Sequence, residues 1–369
     1  MAIITRSKKK FNSYNYLLKA VAAFAFATII VMTLVVHNPT YDENAEFFYG
    51  ASKSAAFSSN VDYQVDEKCT TLPSIRPSGS YFLDDTIKGG SSSENISPAF
   101  KVGSYYADKV PYHMATDTAN FHLIKDFLKG KESGLVLDIG ANQGFYTYYL
   151  ASLGMDVHSF EIYEPNFRAL QHGAEFNPRD VADRVNLYPV GLGEKNSRFS
   201  MQGSNYEGFL KEGKGGPILG VTFDCFAHHM RGKLDISNVA FIKLDVEGFE
   251  IAVLKGAQNS LFKHGYSNIG GMVMEVGPDR WGRASGDFAT GVDEMKKLST
   301  HFKASHVLIR SKGGYTKSCP LSLPEDVLSD KKPLDFDGVS MFTVKINEWE
   351  PLLAKMEKNH YDCNFFYKN

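Results

Sequence analysis

One ten-residue stretch, LVLDIGANQG from Leu135 to Gly144, restricts the possible folds of this chain more than any other. Its apolar run is typical of a strand covered on both faces, and Asp138 stands at the carboxyl end of that run. Gly140 and Gly144 let the backbone turn sharply, because glycine has no Cβ that would clash. Residues 145–153 can continue as a helix. A strand, a glycine turn and a helix N-terminus together predict a cofactor site at the edge of an open α/β sheet.

The spacing of the glycines narrows the choice of cofactor. Dinucleotide-binding turns have the pattern G-x-G-x-x-G, whereas this turn reads G-A-N-Q-G and follows an acid two residues earlier. A carboxylate at Asp138 suits a cationic or amino-bearing ligand such as S-adenosylmethionine better than it suits NAD. The stretch therefore resembles the cofactor turn of class I S-adenosylmethionine-dependent methyltransferases. A glycine turn without any ligand is the alternative, because such turns are common in α/β folds.

The composition is that of an ordinary globular protein. Of the 369 residues, 43% are hydrophobic and 22% are charged, and the formal net charge is −2. No long basic stretch follows residue 10, so we predict no nucleic-acid partner. The four cysteines have no C-x-x-C spacing, which argues against a zinc site, and we predict no bound metal. In a secretory chain these cysteines would allow one or two disulfides.

The N-terminal part of the chain predicts a membrane anchor. Residues 1–16 are a basic tail, and the apolar segment 17–36 has about the length of helix that a bilayer core requires. Basic residues ahead of an anchor predict a cytoplasmic N-terminus, with the rest of the chain in a lumen of the secretory pathway, such as the Golgi, or outside the cell. Residues 37–107, rich in Ser, Gly, Asn and Asp, predict a flexible stem. A catalytic domain over 108–350 and a tail over 351–369 complete the prediction.

A cleaved signal peptide is the alternative to the anchor. Its apolar region usually spans about 7 to 15 residues and ends at a small-residue cleavage site. Here His37, Asn38 and Pro39 follow a longer apolar run, so the length favours the anchor. The chain has one glycosylation sequon, Asn95-Ile96-Ser97, in the predicted stem, and Pro98 directly after it disfavours its use.

Predicted strands and helices alternate after about residue 108. The predicted strands are 135–138, 155–160, 185–192, 239–246, 271–276, 306–310 and 339–346, and the predicted helices between them are 145–153, 165–177, 249–261 and 293–302. Such alternation predicts the α/β class, with a doubly wound and mostly parallel sheet. The polar, glycine-rich stretch 196–220 interrupts the pattern and predicts a surface excursion near the site.

Glu161 stands at the end of the second predicted strand, 23 positions after Asp138. An acid about 20 residues beyond a glycine turn is placed to accept hydrogen bonds from ribose hydroxyls. The alternative is an exposed carboxylate at a strand end without a ligand. Asp138 itself is harder to explain without a function, because a buried strand is a costly place for an unpaired carboxylate.

Charged residues also end the next two strands of the core. Lys243, Asp245 and Glu247 alternate along the fourth predicted strand and therefore point to the same side. We predict that they bind the substrate and transfer a proton, and the alternative is a structural Lys243–Asp245 ion pair. Glu275, at the end of the fifth strand, would orient a substrate hydroxyl or cap a loop.

Two motifs in this order resemble those of FkbM-type methyltransferases. The first is the turn from Asp138 to Gly144 with Phe160-Glu161, and the second is IKLDVEG over 242–248 with VLKGA over 253–257. The resemblance covers roughly residues 110–310. The chain departs from the family after Glu161, where Ile162 stands in place of the usual proline.

The resemblance implies a Rossmann-like seven-stranded sheet and methyl transfer from S-adenosylmethionine, usually to a hydroxyl oxygen. It assigns Asp138, Gly140, Asn142 and Gly144 to the methionine end of the cofactor and Glu161 to the ribose. A hydroxyl acceptor, either a glycan or a small molecule, must lose its proton as the attack proceeds. We predict that Asp245 or Glu247 removes that proton or positions the acceptor. The sequence predicts no oligomeric state.

Two other functions are compatible with the sequence. A basic tail, anchor, stem and catalytic domain is the usual layout of lumenal glycosyltransferases, and Asp335-Phe-Asp337 supplies an Asp-x-Asp triplet for a metal and a nucleotide sugar. A turn-forming triplet explains these residues as well. The second alternative is a membrane-tethered binding protein that keeps a methyltransferase fold without catalysis.

Overall fold

The structure, a computed structural model, describes Cys69 and residues 86–369. Within that range the residues not described are 116, 132, 203–208, 213–217, 231–233, 264–267, 285, 311–318, 321 and 337–338. The predicted anchor and most of the predicted stem therefore lie outside the described residues. No helix in the described part of the chain is both long enough and apolar enough to cross a membrane.

Strands and helices alternate along the described chain. The strands are β1 (Lys88–Ser91), β2 (Lys101–Ser104), β3 (Leu135–Ile139), β4 (Asp156–Phe160), β5 (Val185–Tyr188), β6 (Gly191–Leu192), β7 (Ser197–Gln202), β8 (Phe209–Glu212), β9 (Ile218–Val221), β10 (Asn238–Leu244), β11 (Asn268–Ile269), β12 (Gly271–Val276), β13 (Ala304–Arg310), β14 (Leu334–Phe336), β15 (Val339–Thr343) and β16 (Cys363–Lys368). The α-helices are α1 (Val110–Ala115), α2 (Thr118–Leu128), α3 (Phe145–Ser152), α4 (Glu164–Phe176), α5 (Arg179–Ala182), α6 (Phe223–His229), α7 (Glu250–Gly256), α8 (Phe288–Thr300), α9 (Ser322–Val327) and α10 (Trp349–Asn359).

The large sheet has the strand order β14-β15-β13-β16-β12-β10-β3-β4-β5, and β11 pairs with β10. The strands β5, β4, β3, β10 and β12 run parallel to one another, as predicted. From β3 the chain builds outward to β5 and then returns to β10 on the other side of β3. The fold is therefore a Rossmann-like α/β fold, and its topological switch point lies between β3 and β10.

Antiparallel strands extend this parallel core. The pairs β12–β16, β16–β13, β13–β15 and β15–β14 are all antiparallel. The resemblance implied seven strands, whereas the sheet has ten within the described residues. The difference lies in the short strands β11 and β14 and in β16, which the sequence analysis assigned to loops or to the tail.

The sheet is buried on both faces because helices cover each of them. Leu135, Leu137 and Ile139 of β3 pack in one core with residues of α6, α7, α8 and α10. Val136 points to the opposite face and packs with residues of α2 and α3. The alternation follows from the two-residue repeat of a strand, and it explains why β3 is apolar throughout except for Asp138.

The stretch predicted as a surface excursion forms a second sheet. Within residues 196–220, β7 pairs antiparallel with both β8 and β9, and β9 pairs parallel with β6. The predicted strand 185–192 is accordingly split, since β5 belongs to the large sheet and β6 to the small one. The three short strands of this stretch were not predicted, because its many glycines and charged residues conceal the alternating pattern of a strand.

The end of the predicted flexible stem is folded onto the domain. The strands β1 and β2 form an antiparallel hairpin, and Ile96, Phe100 and Val102 of this region are buried. These side chains share a core with Tyr148 of α3 and Phe167 of α4. The structure therefore corrects the boundary at residue 107, because residues from 86 onward bury apolar surface against the helices.

The predicted C-terminal tail over 351–369 is also part of the core. It contains most of α10 and all of β16, and β16 lies between β12 and β13 in the large sheet. Phe365 and Tyr367 are completely buried. This strand was not predicted, because the short run CNFFYK was assigned to the tail.

The four cysteines form two disulfides, Cys69–Cys225 and Cys319–Cys363. Cys69 is buried, and its carbonyl oxygen lies 2.7 Å from Nε2 of His229 in α6. The residue thus contacts the domain although it lies 156 positions before its partner. The second bond joins the segment before α9 to the first residue of β16.

Replacing both Cys319 and Cys363 with alanine is expected to lower the free energy of unfolding by about 2–4 kcal/mol, because the unfolded chain regains the entropy of an open loop. The bond closes a loop with a sequence separation of 44. Urea unfolding of the full chain, followed by circular dichroism, measures the change. The wild-type chain with a thiol reductant, which breaks both bonds, should lose at least as much stability. An unchanged urea midpoint in the double variant would contradict this expectation.

Candidate active site

The glycine turn lies directly against the end of β10. Gly140 and Gly144 have φ angles of +82° and +94°, which favour glycine, and Asn142 also has a positive φ of 53°. A Cβ on Gly140 would lie 1.8 Å from the carbonyl oxygen of Asp245. The amide nitrogen of Asp245 in turn donates to the carbonyl oxygen of Ile139 at 3.0 Å. The absence of a side chain at Gly140 therefore lets the turn and the acidic end of β10 meet at the switch point.

Glu161, the predicted ribose ligand, is buried at the end of β4. Its two oxygens accept hydrogen bonds from the backbone amides of Asn142 and Tyr163, both at 2.7 Å. Burial raises the pKa of Glu161, although the bonds from Tyr163 and Asn142 oppose that shift. Glu161 thus joins the glycine turn to the loop after β4. A carboxylate offers about four lone pairs, so Glu161 could also accept a hydrogen bond from a ribose hydroxyl.

Lys243 is buried at the centre of the site. Its ammonium nitrogen donates to the carbonyl oxygen of Gly140 at 2.5 Å and lies 3.6 Å from Asp138 Oδ1 and 3.7 Å from Asp245 Oδ2. The same nitrogen stands 5.6 Å from the centre of the Tyr146 ring. Burial alone would lower the pKa of Lys243, yet Asp245 and Asp138 raise it above its ordinary value. Lys243 is therefore a charged crosslink between the glycine turn and the end of β10.

Asp138 faces the inside of the protein in this structure. The residue is fully buried, and Oδ2 accepts a hydrogen bond from Thr147 Oγ1 at 2.6 Å. Burial raises the pKa of Asp138, while Lys243 and Thr147 oppose the shift. These contacts make Asp138 a support of the turn and of helix α3. Its direct contact with the methionine end of a cofactor stays a prediction.

Arg280 forms ion pairs with the acidic residues on the other side of β10. Its guanidinium contacts Glu247 Oε2 through Nη1, and Nη2 lies 3.1 Å from Glu275 Oε2 and 3.0 Å from Asp362 Oδ1. Burial would lower the pKa of Arg280, but these carboxylates raise it above its ordinary value. Burial, and then the nearby charge of Asp245, raise the pKa of Glu275. The predicted residues Glu247 and Glu275 are thus brought together by a cation that the sequence analysis did not select.

Asp245, Glu247 and Glu275 each offer one oxygen within 4.8 Å of the others, a spacing at which carboxylates can hold a metal ion. Arg280 contacts two of the three and already balances part of their charge. The absence of a bound metal stays a prediction.

Three residues of the site were missed from the sequence. Arg280 lies in a short 3-10 segment after β12, and its position shortly after Glu275 was the one available signal. Tyr146, in the first turn of α3, reads as an ordinary aromatic residue of an apolar helix. Asp362 gave no signal, because it lies in the predicted tail and only the pairing of β16 with β12 brings it to the site.

Glu250, the first residue of α7, should make the free energy of unfolding depend on pH. It is fully buried, Oε1 accepts hydrogen bonds from the amides of Gly248 (2.9 Å) and Val246 (3.3 Å), and Oε2 has no partner. Burial raises the pKa of Glu250 from 4.5 to about 7. The folded-state pKa of Glu250 lies above the unfolded one, so the folded protein binds this proton more tightly. The resulting contribution to the free energy of unfolding is fully present below pH 4.5 and is lost as the pH rises through 7.

A Glu250→Gln protein does not titrate at this position and keeps an oxygen for the two amides. From pH 5 to pH 8 we expect its stability relative to wild type to increase by about 2–3 kcal/mol. Urea unfolding of the full chain at both pH values measures the difference. Glu94→Gln, at an exposed position, is the matched control and should follow the wild type. A Glu250→Gln curve parallel to the wild-type curve would show that Glu250 is ionised at pH 5.

The fold and the site together define a Rossmann-like domain with a ligand site at its switch point, built from a glycine turn and carboxylates at the strand ends. Residues 138–298 match the family model described as the methyltransferase FkbM domain. This match supports the resemblance that the motifs indicate. The matched range begins at Asp138 and includes the turn, Glu161 and the ends of β10 and β12, so it contains every predicted site residue.

Several solved methyltransferases are distantly similar to the chain. An O-methyltransferase from Bacillus cereus in complex with SAH has 10% identity over 67% of this chain and 80% of that chain, with a TM-score of 0.34. A precorrin-6y C5,15-methyltransferase from Geobacter metallireducens has 11% identity over 68% and 89%, with a TM-score of 0.30. A SAM-dependent methyltransferase from Agrobacterium tumefaciens has 10% identity over 76% and 70%, with a TM-score of 0.38. These similarities are too distant to bear on activity, and no curated protein matches the sequence.

Proposed function

We propose that the chain is an S-adenosylmethionine-dependent methyltransferase that methylates a hydroxyl oxygen. The observation that carries this proposal is the family match over residues 138–298, which includes every site residue predicted from the sequence. The geometry of the turn supports the cofactor, because Glu161 is fixed by Asn142 and Tyr163 at the end of β4, where a ribose would lie. Gly140, Asn142 and Gly144 would surround the methionine end, and Asp138 would act there through the turn that it supports.

S-adenosylmethionine, when bound, would supply the methyl group to the acceptor oxygen and would leave as a neutral thioether. The protein aligns the acceptor and removes its proton. Of the candidate bases, Glu247 and Glu275 are bonded to Arg280, whereas Asp245 lies 3.7 Å from Lys243 and is 38% exposed. Asp245 is therefore the carboxylate best able to accept the hydroxyl proton, which then passes to solvent.

We also propose that the domain lies in an oxidising compartment behind a membrane anchor. The basic tail and the apolar run support a single-pass anchor with the domain on the lumenal or extracellular side. Two buried disulfides support the same side, because disulfides persist in secretory compartments and are rare in the cytosol. Protease digestion of sealed microsomes tests this topology. Protection of the domain until detergent is added is expected, and digestion without detergent would exclude it.

Calorimetric titration of the full chain with S-adenosylmethionine, S-adenosylhomocysteine and a nucleotide sugar tests the cofactor. We expect the first two to bind and a Glu161→Ala protein to lose at least tenfold in affinity, because the hydrogen bonds that shape the turn disappear. Glu94→Ala is the exposed control. Circular dichroism establishes that both variants are folded before the titration.

The competing functions predict different titrations. A glycosyltransferase would respond to the nucleotide sugar alone, and its Asp-x-Asp triplet would have to act from the far edge of the sheet. Asp335 accepts a hydrogen bond from Ser340 at 2.6 Å on β14, which five strands separate from β3, and Asp337 is outside the described residues. Cofactor binding without transfer to any acceptor would favour a non-catalytic binding protein.

A further inference from the structure

The glycosylation sequon of residues 95–97 lies in a surface loop of the folded domain. The loop, residues 92–100, joins β1 to β2 of the N-terminal hairpin. The carbonyl oxygen of Asn95 in this loop lies 2.7 Å from Nε2 of His122 in α2. The sequon is therefore fixed to the domain, although the sequence analysis placed it in a flexible stem.

The amide and the hydroxyl that define the sequon both belong to exposed residues. Ile96, the middle residue, is 2% exposed and shares a core with Phe100 and Tyr149. Asn95 and Ser97, on either side of it, are exposed. Because the buried isoleucine fixes the backbone between them, a bulky group on Asn95 can extend into solvent without displacing an apolar contact of this core.

The loop lies away from the cofactor turn. Lys101, directly after the loop, exchanges two hydrogen bonds with the side chain of Asn177, at 2.9 Å and 2.7 Å. Asn177 follows the last residue of α4, whereas Glu161 stands just before the first residue of that helix. A helix of 13 residues is about 20 Å long. A group attached in the loop is therefore near the opposite end of α4 from the predicted ribose position, and it leaves the cofactor turn uncovered.

We propose that Asn95 carries an N-linked oligosaccharide. This inference rests on the proposed lumenal or extracellular side of the domain, and it is independent of methyl transfer. An Asn-x-Ser sequon in a surface loop is a glycosylation acceptor in a secretory protein, and the two disulfides support the same compartment. Pro98 disfavours the transfer, so we expect a mixture of glycosylated and unmodified chains.

The transfer joins the asparagine to a sugar that a lipid-linked oligosaccharide diphosphate supplies. The side-chain nitrogen of Asn95 forms a bond with the anomeric carbon, and the bond between that carbon and the diphosphate oxygen breaks. The electron pair of the broken bond leaves on the lipid diphosphate, and the amide nitrogen releases one proton to the transferase. Because the transferase acts on the chain before it folds, the folded domain must only accommodate the product, which the exposed position of Asn95 allows.

Gel mobility of the full chain, produced in a eukaryotic cell and then treated with peptide N-glycosidase, tests the proposal. We expect two bands for the wild type, and the enzyme should convert the slower band into the faster one. Asn95→Gln and Ser97→Ala should remove the slower band, whereas Ser97→Thr, which keeps a hydroxyl, should retain it. Pro98→Ala should increase the fraction of chains in the slower band.

Glu94→Gln, at the exposed position next to the sequon, is the matched control and should give the wild-type pattern. Circular dichroism establishes that the variants are folded. A wild-type chain without the slower band, or a slower band that persists in the Asn95→Gln protein, would overturn the proposal. Protease protection in sealed microsomes distinguishes the failures. A protected chain without a glycan leaves the lumenal side standing, whereas digestion without detergent removes both proposals.

Discussion

A Lys243→Met protein is expected to lose about 3–5 kcal/mol of unfolding free energy at pH 7. The reason is that the ammonium is the countercharge for Asp138, which is fully buried. Removing one partner of a buried ion pair leaves the other charge unpaired in the interior, and this costs more than the pair itself contributes. The hydrogen bond to the carbonyl oxygen of Gly140 is lost at the same time. Urea unfolding of the full chain measures the loss.

The sign of the pH dependence distinguishes this explanation from lost packing. Burial already raises the pKa of Asp138, and without Lys243 it would rise further. The folded variant then holds a proton that the unfolded chain has released, so its deficit relative to wild type should grow as the pH rises. Adding Asp138→Asn to Lys243→Met removes the unpaired charge and should restore more than half of the loss. A double variant as unstable as Lys243→Met would show that packing dominates.

Replacing Asp245 with asparagine is expected to reduce methyl transfer by about 10²- to 10⁴-fold, because the site loses the carboxylate that accepts the hydroxyl proton. The amide has nearly the same shape, Asp245 is 38% exposed, and Asp138 still pairs with Lys243, so the variant should stay folded with a small loss of stability. Affinity for S-adenosylhomocysteine should change less than threefold, since Glu161 and the turn are untouched. Single-turnover methyl transfer to an acceptor that the wild type methylates, with calorimetry beside it, measures both quantities.

Asp126→Asn is the control for this experiment, because Asp126 is exposed near the end of α2. It should transfer at the wild-type rate. The pH profile gives a second test, since a general base produces a rising limb that its removal abolishes. Normal turnover by the Asp245→Asn protein would exclude Asp245 as the base. Glu247 and Glu275 would then be the remaining candidates.

The parallel half of the sheet was predictable because its signals are local. Each of its strands is a short apolar run followed by a turn or a charged residue, and β3, β10 and β12 lie within two residues of their predicted bounds. The antiparallel half depends on contacts between distant parts of the chain. β16 pairs with β12 and β13 although it follows them by about 90 and 60 residues, and no local pattern specifies such a pairing.

The same distinction applies to the site. Asp138, Glu161 and Asp245 could be selected because each stands at a strand end in a recognisable motif. The residues that pair with them in the structure could not be selected from the sequence. Arg280 and Asp362 are ordinary charged residues until the fold places them 3.0 Å apart beside Glu275. The sequence also left open whether Lys243 binds a substrate or pairs with Asp245, and the structure contains that ion pair at 3.7 Å.

The disulfide between Cys69 and Cys225 limits how proteolysis can release the domain from the part of the chain that precedes it. Because it closes a covalent ring, cutting a single peptide bond anywhere from residue 70 to residue 224 leaves the two fragments attached. Release from whatever precedes Cys69 therefore requires cleavage upstream of that residue, or a cut within the ring combined with a reductant. A nicked protein that stays whole on a non-reducing gel would be the visible consequence, and a secreted form would begin before Cys69.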